Sequence, residues 1–290
     1  MTMKNTVLVK TIAQVRKAID AAKSSGKRIG FVPTMGALHA GHGSLIEAAA
    51  RQCDFVVVSI FVNPTQFGPT EDLAKYPRTL EADMELCRQT GADVVFAPEA
   101  NEMYPSQQLT WVDVEKLTTG LCGKSRPGHF RGVTTVCTKL FNIVYPDVAF
   151  FGQKDAQQAA IIKRMVSDLN FPLEIVICPT VREKSGLAMS SRNKYLSESQ
   201  RADAAAINQS LQAARHAIIS GQRQTTAIIA LMREILDRTG VIETEYIHIV
   251  DSESLEDVDT ITRPVLIALA AKIGATRLID NILLDAQALK

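Results

Sequence analysis

The sequence lacks a surplus of charge of either sign. Its 32 lysines and arginines are offset by 31 aspartates and glutamates, leaving a formal net charge of +1. Nucleic-acid binders draw much of their affinity from neutralising phosphates. The near-neutral total therefore argues against that class and confines any anion site to a local cluster. Paired cysteines are missing too. Cys53, Cys87, Cys122, Cys137 and Cys178 are odd in number, scattered and never spaced C-x-x-C. They read as buried, reduced thiols rather than a disulfide frame. No apolar run approaches the ~18 residues that span a bilayer, and the stretch MTMKNTVLVKTIAQ has no apolar signal core. Internal repeats and low-complexity tracts are also absent. A soluble, cytoplasmic protein without membrane or nucleic-acid partners is expected.

What remains is ordinary globular material, 46% hydrophobic and 22% charged, too apolar for a disordered chain. A length of 290 residues exceeds the about 100–150 of a common single domain, so one larger and one smaller domain are expected. Residues 28–32 read as a strand ending at Pro33, and a helix follows over 42–51. FVVVSIFV, 55–62, is a continuous β-branched run of the kind buried on both faces. A helix over 77–90 stops at Gly91, and a strand follows at 93–96. A helix over 132–144 aligns Val133, Val136, Leu140 and Ile143 on one face. Then come a strand at 148–151, a helix at 155–169 and a strand at 173–178. This alternation predicts an α/β, Rossmann-like, doubly wound parallel sheet, which binds ligands at the carboxyl ends of its strands.

The pattern changes near residue 184. Ser197 and Gln200 form a capping-box signature for a long helix ending near Gly221, with Ile207, Leu211, Ala214 and Ile218 at helical spacing. A second helix carries Ile228, Leu231 and Ile235. Strands follow at 245–250, 265–270 and 277–283, the last two joined as a hairpin through Gly274 and Ala275. The expected division is a domain at 1–183 and a smaller C-terminal α+β domain at 184–290.

Four segments carry candidate chemistry. PTMGALHAGHGSL, 33–45, follows the first strand of the pattern. Its glycines admit close backbone approach, free amides at a helix start favour phosphate, and the rings of His39 and His42 can donate to phosphate oxygens. An incidental loop and a metal site are the alternatives. VNPTQFGP, 62–69, offers the neutral amides Asn63 and Gln66, suited to a hydroxyl or carboxylate, or to stabilising a turn. FFGQKDAQQ, 150–158, puts Lys154 at the unfavourable positive end of a helix dipole, which an anionic ligand would explain and a solvated helix start would not require. Lys154 and Gln158 share a face. VREKSGLAMSSRN, 181–193, clusters cations and hydroxyls that suit a polyphosphate, or form a solvated linker. A fifth stretch, GKSRPGHFRG at 123–132, with Lys124, Arg126, His129 and Arg131, reads equally as a basic lip or a surface loop.

Taken in order, PTMGALHAGH, VNPTQF, GQKDAQQ and MSSRN resemble the pantothenate synthetase family. HAGH is a form of the H-x-G-H signature of nucleotidylyltransferases. The resemblance implies an ATP-dependent, AMP-forming ligase that condenses pantoate with β-alanine through a pantoyl-adenylate, in the route to pantothenate and coenzyme A. Its ATP contacts would fall on Pro33, Thr34, Met35, Gly36, Ala37, Leu38, His39, Ala40, Gly41 and His42, on Gly152, Gln153, Lys154 and Asp155, on Val181, and on Met189, Ser190, Ser191 and Arg192. Pantoate and β-alanine would lie by Gln66, Gln158 and Asn63. The catalytic donors would be His39, His42, Lys154, Ser190, Ser191 and Arg192. It further implies Mg²⁺ carried with ATP rather than on protein ligands, and a homodimer. Two other classes stay open on the residues alone. An adenylyltransferase for a phosphorylated substrate would want more cations than Gln66 and Gln158 supply. A non-catalytic nucleotide- or RNA-binding module would have no need of both histidines and Lys154.

Overall fold

The computed structural model describes residues 5–68 and 73–285. The first four residues of the N-terminal stretch, and Pro69 of VNPTQFGP, lie outside the described residues. The chain divides into two compact units. The first comprises residues up to 118, 126–153 and 158–179. The second comprises 119–125, 154–157 and the chain from 180 onward.

In chain order the elements are β1 (Val7–Val9), α1 (Ile12–Ser24), β2 (Ile29–Thr34), α2 (Ala40–Gln52), β3 (Phe55–Ile60), α3 (Leu80–Thr90), β4 (Val94–Phe96), α4 (Ala100–Met103), α5 (Leu121–Ser125), α6 (His129–Val144), β5 (Val148–Gly152), α7 (Ala156–Asp168) and β6 (Glu174–Cys178). All the strand pairs here are parallel, in the order β1-β4-β3-β2-β5-β6. From β2 the chain steps to β3 and β4 on one side, then crosses to β5 and β6 on the other. The order reverses between β2 and β5, and the crevice outside the carboxyl ends at such a reversal is where open α/β sheets bind ligands. Val56, Val57 and Val58 of β3 are wholly buried, as the unbroken apolar run requires. Val133, Val136, Leu140 and Ile143 of α6 are likewise buried.

The second unit contains α8 (Glu198–Asp203), α9 (Ala205–Ile219), α10 (Thr225–Asp237) and an antiparallel sheet of β7 (Ile242–Asp251), β8 (Val265–Ile273) and β9 (Thr276–Leu284). Both faces of this sheet are covered. Ile249, Ile267, Leu269 and Leu278 pack with α9 and α10 on one face. Val250, Leu266 and Ala268 pack on the other with Tyr246 of β7 and with Leu121 and Ala156, which come from the two short segments donated by the middle of the chain. The α/β sheet and the smaller α+β unit match the expected fold class.

Some boundaries differ from the sequence reading. The helix expected from 77 starts at Leu80. The long helix expected after Ser197 breaks at the fully buried Ala204, giving α8 and α9, although the Ser197–Gln200 capping box forms. β1 and α1 carried no expectation, yet α1 has its own capping box in Thr11 and Gln14.

Candidate active site

The loop between β2 and α2 lies at the sheet's reversal point. Thr34 donates its hydroxyl to the Ser59 carbonyl at 2.7 Å and accepts the Gly36 amide at 3.2 Å. Gly36 has φ +83°, and Ala37 follows in the same left-handed region at φ 51°, which a side chain disfavours. A buried carboxylate holds them there. Asp83 on α3, 2% exposed, accepts the Ala37 and Leu38 amides at 3.0 and 2.8 Å and the Thr79 hydroxyl at 3.1 Å.

The helix start is satisfied from within. His42 Nδ1 accepts the His39 amide at 3.3 Å, and His39 Nδ1 accepts the Gly41 amide at 3.1 Å. The His42 and Gly43 amides bond the His39 carbonyl. The His39, Gly41, His42 and Gly43 amides are therefore taken up by the two histidines themselves. A ring nitrogen that accepts carries no proton, so in each neutral imidazole the proton sits on Nε2. The two Nδ1 caps thus turn two histidines into two oriented N–H donors.

Beyond β3, Asn63 is a junction. It is 1% exposed and starts the turn Pro64–Gln66. Its Nδ2 donates to Gln66 Oε1 at 3.2 Å and to the Gly132 carbonyl at 3.1 Å. Its Oδ1 accepts from Tyr104 at 2.9 Å and from the Thr65 hydroxyl at 3.0 Å. With Oε1 engaged by Asn63, Gln66 keeps its Nε2 as a donor, 2.7 Å from Met35 Sδ. The turn is pressed against α6, since a Cβ on Gly132 would lie 2.4 Å from the Thr65 carbonyl oxygen. The basic stretch also reaches this turn. His129 Nδ1 is 2.8 Å from the Gln66 carbonyl and must donate to it, so Nε2 accepts from Arg126 Nη1 at 2.9 Å. Arg131 instead stacks its guanidinium over Trp111. Pro33 and Thr34 end β2, Gly152 ends β5, and Gln158 is half-buried on α7.

Gln153 closes the first unit's 126–153 stretch, and the remaining candidates, from Lys154 and Asp155 to Val181 and Met189–Arg192, lie in the second unit. Lys154 occupies the 3₁₀ turn Gln153–Asp155 ahead of α7, with Nζ 3.7 Å from Asp155 Oδ1. Residues 181–189 form a tight hairpin: the Met189 amide bonds the Val181 carbonyl at 2.9 Å, and the Glu183 amide bonds Leu187 at 2.8 Å. Ser190 caps the turn Ser191–Tyr195 by accepting the Arg192 amide at 3.2 Å. Asn193 anchors it through Glu183 Oε1 and the Ala188 carbonyl. These bonds tie the stretch into the unit.

Burial pushes the pKa of the Cys87 and Cys137 thiols up to about 12, and all five cysteines are free. Among the described residues no group of three or more His, Cys, Asp or Glu is placed to hold a metal ion. No helix there is long and apolar enough to cross a membrane.

The model of the pantoate-beta-alanine ligase family matches residues 7–283. The chain belongs to the pantoate–β-alanine ligase family. Relatives in this family include the pantothenate synthetase of Pelotomaculum thermopropionicum, 54% identical over 274 residues, covering 94% of this chain and 97% of the relative. That of Moorella thermoacetica is 54% identical over 278 residues, covering 96% and 98%. Among solved structures, the Thermus thermophilus pantothenate synthetase superposes with a TM-score of 0.90 at 43% identity, covering 95% of this chain and 98% of that one. The Francisella tularensis ligase, complexed with beta-gamma ATP and beta-alanine, gives 0.77 at 35% identity, covering 96% and 97%.

Seen as a ligase site, the arrangement has supporting residues that the sequence reading missed. Asp83 is one. On an amphipathic helix it looks like any solvated carboxylate, and no signal in the sequence marks it as the clamp of a loop 45 residues earlier. Tyr104 and Gly132, which brace Asn63 and the Gln66 turn, were equally silent.

Proposed function

We propose that this chain condenses (R)-pantoate with β-alanine to pantothenate through a pantoyl-adenylate. A pantoate carboxylate oxygen attacks the α-phosphorus of ATP, and pyrophosphate leaves. The β-alanine amine then attacks the acyl carbon, and AMP leaves. Neither step needs a protein nucleophile. The first develops charge on transferring and departing phosphates, which fixed donors stabilise. His39 and His42 supply two such donors at the sheet's reversal point, and the capping of the helix start by both Nδ1 atoms is the observation that carries the reading. Lys154, Ser190, Ser191 and Arg192 supply the rest. Gln66 and Gln158, with Asn63 behind Gln66, bind the uncharged hydroxyls and the carboxylate of pantoate.

Mg²⁺ enters with the nucleotide. An ion held by phosphate oxygens and water asks few ligands of the protein. The reading divides the labour between a nucleotide- and pantoate-binding domain at 1–183 and a smaller lid at 184–290. The two compact units, with the second taking over at 180 and drawing in 119–125 and 154–157, support such a division. A cytoplasmic homodimer serving coenzyme A synthesis completes it.

The test is release of AMP and pyrophosphate with pantoate and β-alanine each omitted in turn. Pyrophosphate release that requires pantoate alone, with AMP release requiring both, is the expected result. Pyrophosphate release independent of pantoate would point to another adenylyltransferase.

A further inference from the structure

The proposed chemistry uses Lys154 and Ser190–Arg192 but leaves unused the strand that holds them both. Asp280 and Asn281 are neighbours on β9, 2% and 5% exposed. Adjacent strand residues point to opposite faces of a sheet. Asp280 lies opposite Leu269, on the face packed by α9 and α10. Asn281 lies opposite Ala268, on the face covered by 119–125 and 154–157. On the first face Arg182 donates to both oxygens of Asp280, at 2.6 and 3.0 Å, and to the Gly186 carbonyl at 3.1 Å. That bidentate pair locks the hairpin that leads into Ser190–Arg192. On the second face Asn281 Nδ2 donates to the Lys154 carbonyl at 2.9 Å. The Asn281 amide closes the link by donating to Asp280 Oδ1 at 2.8 Å. One dipeptide, acting through both faces of the sheet, ties together the two cation-bearing segments of the unit.

We propose that Asn281 is a positioning residue for Lys154, holding its turn so that the ammonium is aimed at the nucleotide phosphates; this rests on the ligase reading above. The need is physical. A lysine is a compact charge on a flexible stem, so its aim depends on where its backbone is fixed. The turn Gln153–Asp155 is only three residues long. Asp155 Oδ1 already lies 3.7 Å from Nζ and competes for the ammonium if the turn shifts. Asn281 brings no charge and reaches Lys154 through that residue's backbone carbonyl. It keeps Lys154 in register with the Arg182 hairpin, so that the lysine and the Ser190–Arg192 donors keep one fixed spacing within the unit.

The experiment is a double-mutant cycle on the full chain. Single-turnover pyrophosphate release from ATP and pantoate is measured for wild type, Asn281→Leu, Lys154→Ala and the double variant. Asn281→Ser runs in parallel in case the leucine fails to fold, and thermal melting confirms folding of each. Residues that act as one unit are non-additive. A misplacement of about 1 Å costs on the order of 10²-fold. The expected result is a loss of about 10- to 100-fold for the Asn281 variant in wild type, shrinking to less than about twofold once Lys154 is alanine. An equal loss in both backgrounds would make Asn281 a general scaffold residue and overturn the proposal. So would undiminished adenylation in a folded Asn281 variant. If Lys154→Ala alone left adenylation intact, the role given to the lysine under the ligase reading would fall first, and this inference with it.

Discussion

His42 caps the His39 amide and His39 caps the Gly41 amide, each through its Nδ1 atom, and their rings stand 4.2 Å apart between centroids. Cap and donor are opposite ends of one ring, so a substitution at either histidine does two things that can be separated.

His42→Ala removes both functions. Adenylation should fall by about 10²–10³, the scale of one lost preorganised donor, and stability by about 1 kcal/mol for the lost cap. His42→Asn keeps an acceptor for the His39 amide while losing the Nε2 donor. It should melt near wild type and still adenylate slowly. Single-turnover pantoyl-adenylate formation and thermal melting check the pair. Near-normal adenylation in either variant would remove His42 from the chemistry.

Gln158→Ala should raise the pantoate KM strongly and leave ATP affinity nearly unchanged, because a neutral amide serves an uncharged hydroxyl and not a triphosphate. Steady-state kinetics and calorimetry distinguish the two. Loss of ATP binding with intact pantoate kinetics would reassign the residue.

Gly132→Ala puts a methyl 2.4 Å from the Thr65 carbonyl oxygen and 2.7 Å from the Gln66 Cα. Backbone must move, at a cost of about 1–3 kcal/mol, and the part that moves carries Gln66. Lower thermal stability together with a raised pantoate KM is expected. A stable variant with unchanged kinetics would show that the turn is not a rigid support.

Arg277 hydrogen-bonds Glu245 and holds its carboxyl below the usual range. A depressed folded pKa gives stability that is fully present above the unfolded value near 4.5. That stability is lost as pH falls through the lower folded value. Glu245→Gln should therefore weaken the protein at neutral pH and flatten its stability–pH curve below about pH 4.5. Denaturant melts from neutral pH down through the carboxylate range provide the check. A parallel curve for the variant would dismiss the pair as a contributor.

Arg192→Ala should slow adenylation more than it weakens binding of AMP, which lacks the β- and γ-phosphates. Amide exchange with and without a non-hydrolysable ATP analogue tests the lid. The bonded amides of Glu183, Gly186 and Met189 should be protected in both states, and 190–192 should gain protection with nucleotide. Equal, high protection throughout 184–193 in both states would rule out nucleotide-dependent ordering.

The parallel sheet was legible because β3 and β5 are buried on both faces and so read as unbroken apolar runs. The capping box at Ser197 was legible because its signal is local. β1 was not, since Val7 and Leu8 on this edge strand are exposed and three residues carry no period. The break at Ala204 has no glycine or proline to announce it. Of the candidate site, the motif segments stood out because they are loops with unusual composition. The reassignment of 119–125 and 154–157 to the second unit could not be read, because it is decided by which face of the β7–β9 sheet they cover.

The Asp83 clamp has a consequence for how this loop can change over generations. A phosphate loop that works through bare backbone amides tolerates drift, because nearly any side chain leaves the amides in place. Here a carboxylate from another helix already occupies the Ala37 and Leu38 amides. Under the proposed function, this loop's share of phosphate recognition is written instead in two imidazoles, each used at both nitrogens. Few substitutions preserve acceptor and donor at once with the same reach, so a single codon change can remove that share while leaving the fold intact. A descendant that had lost ligation would be expected to reveal it at His39 or His42 before any change in the sheet.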